Sequence, residues 1–132
     1  MPDVAGADIE TFRLESLPAE LPFCSAVRAG DTVHVSGQIG NVPGEMRLVE
    51  GGIEAEARQA MEHMKAALEL AGSSLDRVLK CTVYLADMAD YRAFNGVYAS
   101  YFPNRQPARS GLQVAGLALG ARVEIECVAL AG

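Results

Sequence analysis

The sequence is short of positive charge, of paired cysteines and histidines, and of long apolar runs. Its 132 residues carry 11 Lys and Arg against 17 Asp and Glu, a net charge of −6. A nucleic-acid-binding face needs a basic surface, so this balance argues against nucleic acid as a partner. The three cysteines, Cys24, Cys81 and Cys127, are an odd number with no C-x-x-C spacing. The two histidines, His34 and His63, stand far apart. Neither a disulfide framework nor a metal site is suggested, and two histidines leave no Ser–His–Asp arrangement to argue. No run reaches the roughly 18 apolar residues of a membrane-spanning helix. Residues 1–10 lack the basic region and apolar stretch of a secretory signal. Neither G-x-G-x-x-G nor G-K-[ST] occurs, so no nucleotide loop is indicated. The expectation is a reduced, cytoplasmic protein with no membrane partner.

What is present is apolar. Hydrophobic residues make up 50% of the chain, and mean hydropathy is +0.13. Part of this surplus is alanine, at 21 residues. The length fits one domain, which buries roughly two-thirds of its unfolded surface. A small domain this apolar is expected to cover some surface with another subunit.

The chain divides into short periodic segments. Residues 1–11 read as a polar, frayed start. A first strand is expected from residue 12 to 15, and residues 26–28 and 32–36 read as a hairpin about Ala29-Gly30-Asp31. His34 alternates with Val33 and Val35 and is expected at the surface or an interface. Residues 53–71 carry Ile53, Ala57, Ala60, Met61, Met64, Ala67, Leu68 and Ala71 at helical steps, with Gly72 as a left-handed cap. Residues 78–86 read as a half-buried strand, with Leu79, Cys81, Val83 and Leu85 on the core face. A second helix is expected over 91–102, capped by Asp90, with Phe94, Val97, Tyr98 and Tyr101 inward and Pro103 as its stop. Residues 108–115 and 122–130 read as two final strands. The order βββ-α-β-α-ββ predicts an α+β domain, a mixed β-sheet with two helices packed on one face. Residues 1–20 would be an N-terminal extension with the first strand, and 21–132 the main body of a single domain.

The last two segments hold the most informative residues. Strand alternation puts Arg109, Gly111 and Gln113 on one face, and Arg122, Glu124 and Glu126 on one face. The opposite faces, with Leu112 and Val114, and Val123, Ile125 and Cys127, read as core. If the two strands close as a hairpin, Arg109 stands opposite Glu124. A fixed guanidinium suits capture of a carboxylate, and a nearby carboxylate can orient or deprotonate a water. The alternative is a simple cross-strand ion pair contributing about 0.2–1 kcal/mol. Val35-Ser36-Gly37-Gln38-Ile39 ends a strand with small residues where backbone can approach a ligand. Asn95, before Gly96, disfavours helix and faces either a polar pocket or solvent.

These residues, with the strings Leu70-Ala71-Gly72-Ser73-Ser74-Leu75, Thr82-Val83-Tyr84-Leu85-Ala86-Asp87-Met88, Asn95-Gly96-Val97-Tyr98, Pro107-Ala108-Arg109-Ser110 and Val123-Glu124-Ile125-Glu126, form an ordered set. From about residue 21 to 130 the chain resembles the RidA (YjgF) family of imine and enamine deaminases. The resemblance implies a chorismate-mutase-like fold and a homotrimer with sites between subunits. It also implies hydrolysis of 2-aminoacrylate and related imino acids to 2-keto acids and ammonia, without cofactor or metal. Arg109 would bind the substrate carboxylate and Glu124 would position the attacking water. Phe23, Gly37, Asn95 and Gly111 fall on pocket positions. Phe23 replaces the family's usual tyrosine, Gly111 a frequent cysteine, and Leu117-Ala118-Leu119-Gly120 the usual Leu-Pro-Lys-Asp turn. These departures enlarge and de-polarise the expected pocket. They leave open a deaminase of a larger imino or amino acid, such as an aminomuconate, or a non-catalytic trimer that binds small carboxylates or client proteins. Ribonuclease activity, attached to some members, is disfavoured by the −6 charge.

Overall fold

The structure, a computed structural model, describes residues 8–132. Residues 1–7, most of the polar start expected over 1–11, lie outside the described residues. Strands β1 (Ile9–Phe12), β2 (Ala26–Ala29) and β3 (Thr32–Gln38) precede helix α1 (Gly52–Leu70). Strand β4 (Val78–Leu85), helix α2 (Tyr91–Ser100), and strands β5 (Ala108–Gln113) and β6 (Val123–Leu130) complete the chain. The first strand therefore begins earlier than expected and ends at Phe12. The six strands form one sheet in the order β1-β2-β3-β6-β4-β5. Only β4 and β5 run parallel; the other neighbours are antiparallel. Two crossovers, β3-α1-β4 and β4-α2-β5, put both helices on one face, as the α+β reading requires.

Helix α1 packs through its predicted stripe. Ala57, Ala60, Met61, Met64, Ala67 and Leu68 are buried. The alanines bring the helix close to the sheet, and the methionines fill the gaps. The helix is closed off by Gly72, two residues past its last turn, whose φ of +82° is open to glycine at no steric cost. There Ser73 N–H donates to Leu68 O at 2.8 Å and Gly72 N–H to Glu69 O at 3.2 Å, closing a Schellman motif. Phe94, Met61, Met64, Leu68, Leu85 and Ile125 are the largest fully buried side chains. Each contributes about 1.5–3 kcal/mol through burial.

Three local expectations fail for identifiable reasons. The β4–β6 ladder shifts between Val78 and Lys80, and this bulge turns Leu79 outward, 42% exposed. Asp90 does not cap α2 through its side chain; its carboxylate instead lies 3.1 Å from Arg122 Nη1. Asp87 caps the short 3₁₀ turn before α2, accepting from Ala89 N–H at 2.9 Å. Most consequential, β5 and β6 do not form a hairpin. Strand β4 lies between them, pairing Cys81 with both Arg109 and Cys127. The connection over residues 114–122 bridges across the end of β4. Both of its ends are tied there, by Val114 N–H to Leu85 O at 2.9 Å and Ala86 N–H to Arg122 O at 3.0 Å.

Glu56, buried on α1, accepts the Arg122 N–H at 2.9 Å and so fixes the start of β6. Gly40 packs directly against the backbone of Glu56. A Cβ there would lie 2.5 Å from Glu56 Cα and 2.6 Å from its carbonyl oxygen. Gly40→Ala is expected to destabilise the protein by about 1–3 kcal/mol, read as a lower urea midpoint at unchanged m-value.

Candidate active site

Cys81 is fully buried on the helix face of β4, and its β5 partner Arg109 points to that same face. The Arg109 guanidinium lies over three rings of α2, with its carbon 4.8 Å from the Tyr98 centroid, 5.4 Å from Tyr91 and 5.7 Å from Phe94. Arg109 Nη2 donates to the Tyr91 hydroxyl at 3.1 Å. That contact, followed by Asn95, lowers the Tyr91 pKa from its ordinary value. Among the described residues, no carboxylate forms an ion pair with Arg109. Aromatic faces orient a cation without neutralising it. Arg109 therefore keeps its charge and its fork of donors for an anion.

Asn95 and Tyr98 line the same hollow as Arg109, with Gln106 and Pro107. Asn95 Oδ1 and the Tyr98 hydroxyl are buried without a hydrogen-bond partner. Burial, and then the neighbouring Cys81 thiol, push the Tyr98 hydroxyl far above its usual range. Orphaned polar atoms beside an unpaired cation mark a place prepared for a polar ligand. Gly111 stands further along β5, where a Cβ would meet the Tyr91 ring at 3.6 Å. Burial likewise raises the pKa of both Cys81 and Cys127, so neither is a thiolate nucleophile near neutral pH.

Glu124 lies elsewhere. Val123 and Ile125 are buried toward the helices, so Glu124 and Glu126 occupy the opposite face of β6. The Tyr84 hydroxyl, on the neighbouring strand, donates to Glu126. One extra residue in β3 between Val35 and Gln38 bulges the ladder toward β6. Gly37 in this bulge lets the Glu124 side chain through, for a Cβ there would come within 2.8 Å of Glu124 Cδ. Glu124 opens onto a pocket walled by Gly37, Phe23, Leu21, Met46 and Leu119. Burial first, and the like charge of Glu126 second, raise the Glu124 pKa above the usual carboxylate value.

The proposed pairing of Arg109 opposite Glu124 is thus corrected. The two residues sit on opposite faces of the sheet with β4 between their strands. Arg109 falls with Asn95, and Glu124 with Gly37 and Phe23. The face assignment of β5 reverses as well, since Leu112 is 42% exposed. Of the aromatic cradle, Phe94 and Tyr98 were readable only as part of a helical core stripe, and Tyr91 was not singled out. Its role depends on β5 lying parallel beside β4, which periodicity does not reveal.

Fold and site together define a class: an α+β domain with an unpaired, ring-held arginine on one face of its sheet and a carboxyl of raised pKa in an apolar pocket on the other. The family model described as Endoribonuclease L-PSP matches residues 14–131. A human protein named 2-iminobutanoate/2-iminopropanoate deaminase is 44% identical over 111 residues, covering 84% of this chain and 81% of that one. The crystal structure of RidA from the Antarctic bacterium Psychrobacter superposes with a TM-score of 0.85 at 39% identity, covering 92% of this chain and 98% of the other. That of E. coli TdcF with bound serine gives 0.85 at 31% identity, covering 93% and 99%. The chain belongs to the RidA/YjgF family.

The raised Glu124 pKa has a consequence for stability. A carboxyl whose folded pKa lies above its unfolded value loses stabilising effect as pH rises through that folded pKa. Glu124→Gln is therefore expected to melt higher than wild type at pH 7–8. The difference should vanish below about pH 4, where the unfolded carboxyl is also protonated. Thermal melts of both proteins across this range check it.

Proposed function

We propose that this protein is an imine deaminase that hydrolyses 2-aminoacrylate/2-iminopropanoate-type acids to 2-oxo acids and ammonia. The observation that carries the reading is the unpaired Arg109 guanidinium in its aromatic cradle, beside two orphaned polar atoms. Such a site takes a small carboxylate. The deaminase named among the relatives acts on substrates with this group.

The separation of Arg109 and Glu124 supports a site shared between subunits of a homotrimer. One sheet cannot present both to one small molecule, but Arg109 from one protomer and Glu124 from its partner can flank the same substrate. The half-exposed open face of the sheet, with His34, Val128 and Leu130, suits an interface. Arg109 holds the substrate carboxylate and fixes the C=N carbon. Glu124 takes a proton from water as the water oxygen bonds to that carbon. The tetrahedral adduct receives that proton on nitrogen; Glu124 then takes the adduct's hydroxyl proton and passes it to the amine, the C–N bond breaks, ammonia leaves and the 2-oxo acid remains. The raised Glu124 pKa favours this exchange, because it makes the carboxylate a stronger base than a free one. The imine carbon is already electrophilic, so orientation and electrostatics supply most of the acceleration.

The test generates 2-iminopropanoate with an amino-acid oxidase and follows its decay. Wild type should accelerate decay, and Arg109→Ala should lose about 10²–10³-fold of that effect. Binding of small carboxylates without turnover would instead indicate a non-catalytic carboxylate binder.

Subunit mixing tests the shared site. Arg109→Ala and Glu124→Gln chains, each inactive alone, should recover about a quarter of wild-type activity when refolded together at equal ratio. No recovery would place both groups of each site on one chain.

A further inference from the structure

We infer that Tyr91 is a positioning residue for the carboxylate site: its hydroxyl, and not only its ring, holds the Arg109 guanidinium so that the remaining N–H groups face an anion. The inference rests on the reading of Arg109 as the holder of the substrate carboxylate and deepens it. The rings of Tyr91, Phe94 and Tyr98 attract the charge of Arg109. That attraction acts through ring faces and does not fix the direction of the N–H fork. A hydrogen bond does, because it is directional. Among the described residues, the bond donated to the Tyr91 hydroxyl at 3.1 Å is the only one the Arg109 side chain makes. It occupies one N–H of the fork and leaves the others for bidentate capture of a carboxylate.

The placement of Tyr91 is a second observation. Strand β5 turns Arg109, Gly111 and Gln113 toward α2, and each meets the segment 88–91 in its own way. Gln113 Oε1 accepts the Met88 N–H at 2.8 Å. Gly111 lies under the Tyr91 ring, where a Cβ would just touch Cε2 at 3.6 Å. A longer side chain there would compete with the ring for its space. Arg109 reaches the hydroxyl. From the other side, Asp90 is paired with Arg122, just before β6. The residues before Tyr91 are thus tied to β5 and β6, and its ring is laid along β5 toward Arg109. Tyr91 is nonetheless 39% exposed, so core packing does not account for this hold.

The hydroxyl also gives the site an alkaline limit. Arg109 from β5 and Asn95 from α2 face it, and both lower its pKa. The adjacent Asp90 carboxylate is engaged by Arg122. Tyr98 and Cys81, which flank Arg109, have pKa values raised by burial. An ionised Tyr91 would neutralise the guanidinium and repel a carboxylate.

Calorimetric titration with pyruvate tests the role by comparing wild type with Tyr91→Phe, which keeps the ring and removes the hydroxyl. At neutral pH the variant should bind about fivefold more weakly. Its KM for 2-iminopropanoate should rise by a similar factor with kcat within about twofold, since the carboxylate is held alike in ground and transition states. Wild-type affinity should fall as pH rises through the Tyr91 pKa, and the variant should lack this fall. Both proteins should melt alike, which separates lost positioning from lost folding. An affinity within about twofold of wild type at neutral pH, or the same alkaline fall in both proteins, overturns the inference. If no imino acid is hydrolysed but Tyr91→Phe weakens pyruvate binding, the deaminase reading falls and the role of Tyr91 stands. Hydrolysis by wild type with unchanged pyruvate binding in Tyr91→Phe has the opposite meaning.

Discussion

Strand β4 holds two ladders at once, antiparallel to β6 and parallel to β5, and this position governs both halves of the candidate site. Its core side chains, Val78, Cys81, Val83 and Leu85, are all buried. A strand so enclosed cannot be displaced without opening the core. It therefore fixes β5 at the sheet edge, under α2, and β6 in the sheet interior. Arg109 inherits the helix face from its partner Cys81. Glu124 inherits the open face from its alternation with Val123 and Ile125.

The two faces give the charged groups opposite treatment. Arg109 is a cation surrounded by ring faces, which attract it without cancelling its charge. Glu124 is an acid in apolar surroundings with a like charge nearby, which raises its pKa. In the deaminase reading proposed above, one group binds an anion and the other exchanges a proton. Both environments cost stability: two orphaned polar atoms beside Arg109, and a desolvated carboxyl beside Gly37. Sites that act on ligands commonly carry such costs, which the ordinary core elsewhere offsets. Here that core is the alanine and methionine face of α1 against β3 and β6.

The irregular backbone serves the same end. The bulge in β3 brings Gly37 against the Glu124 carboxyl, and a Cβ at this position would displace that carboxyl from where it lies. The bridge over the end of β4, residues 114–122, passes beside the pocket and carries Leu119 in a left-handed conformation. These features lie where the ladders stop being regular, and local departures from sequence rules concentrate there.

The α+β class, the order of elements and the α1 stripe were legible in the sequence because each follows from local periodicity. Gly72 as a helix cap was legible because few other residues adopt a positive φ freely. The pocket position of Gly37 was suggested by small residues ending a strand, and the chemistry of Arg109 and Glu124 by residue type and by family resemblance. Strand order was not legible, since a hairpin and a bridge over an intervening strand share the same alternation. Only the tertiary structure decided that β4 enters between β5 and β6. That choice depends on long-range burial of β4, summed over contacts far apart in sequence, and it assigns Arg109 and Glu124 to opposite faces of one sheet.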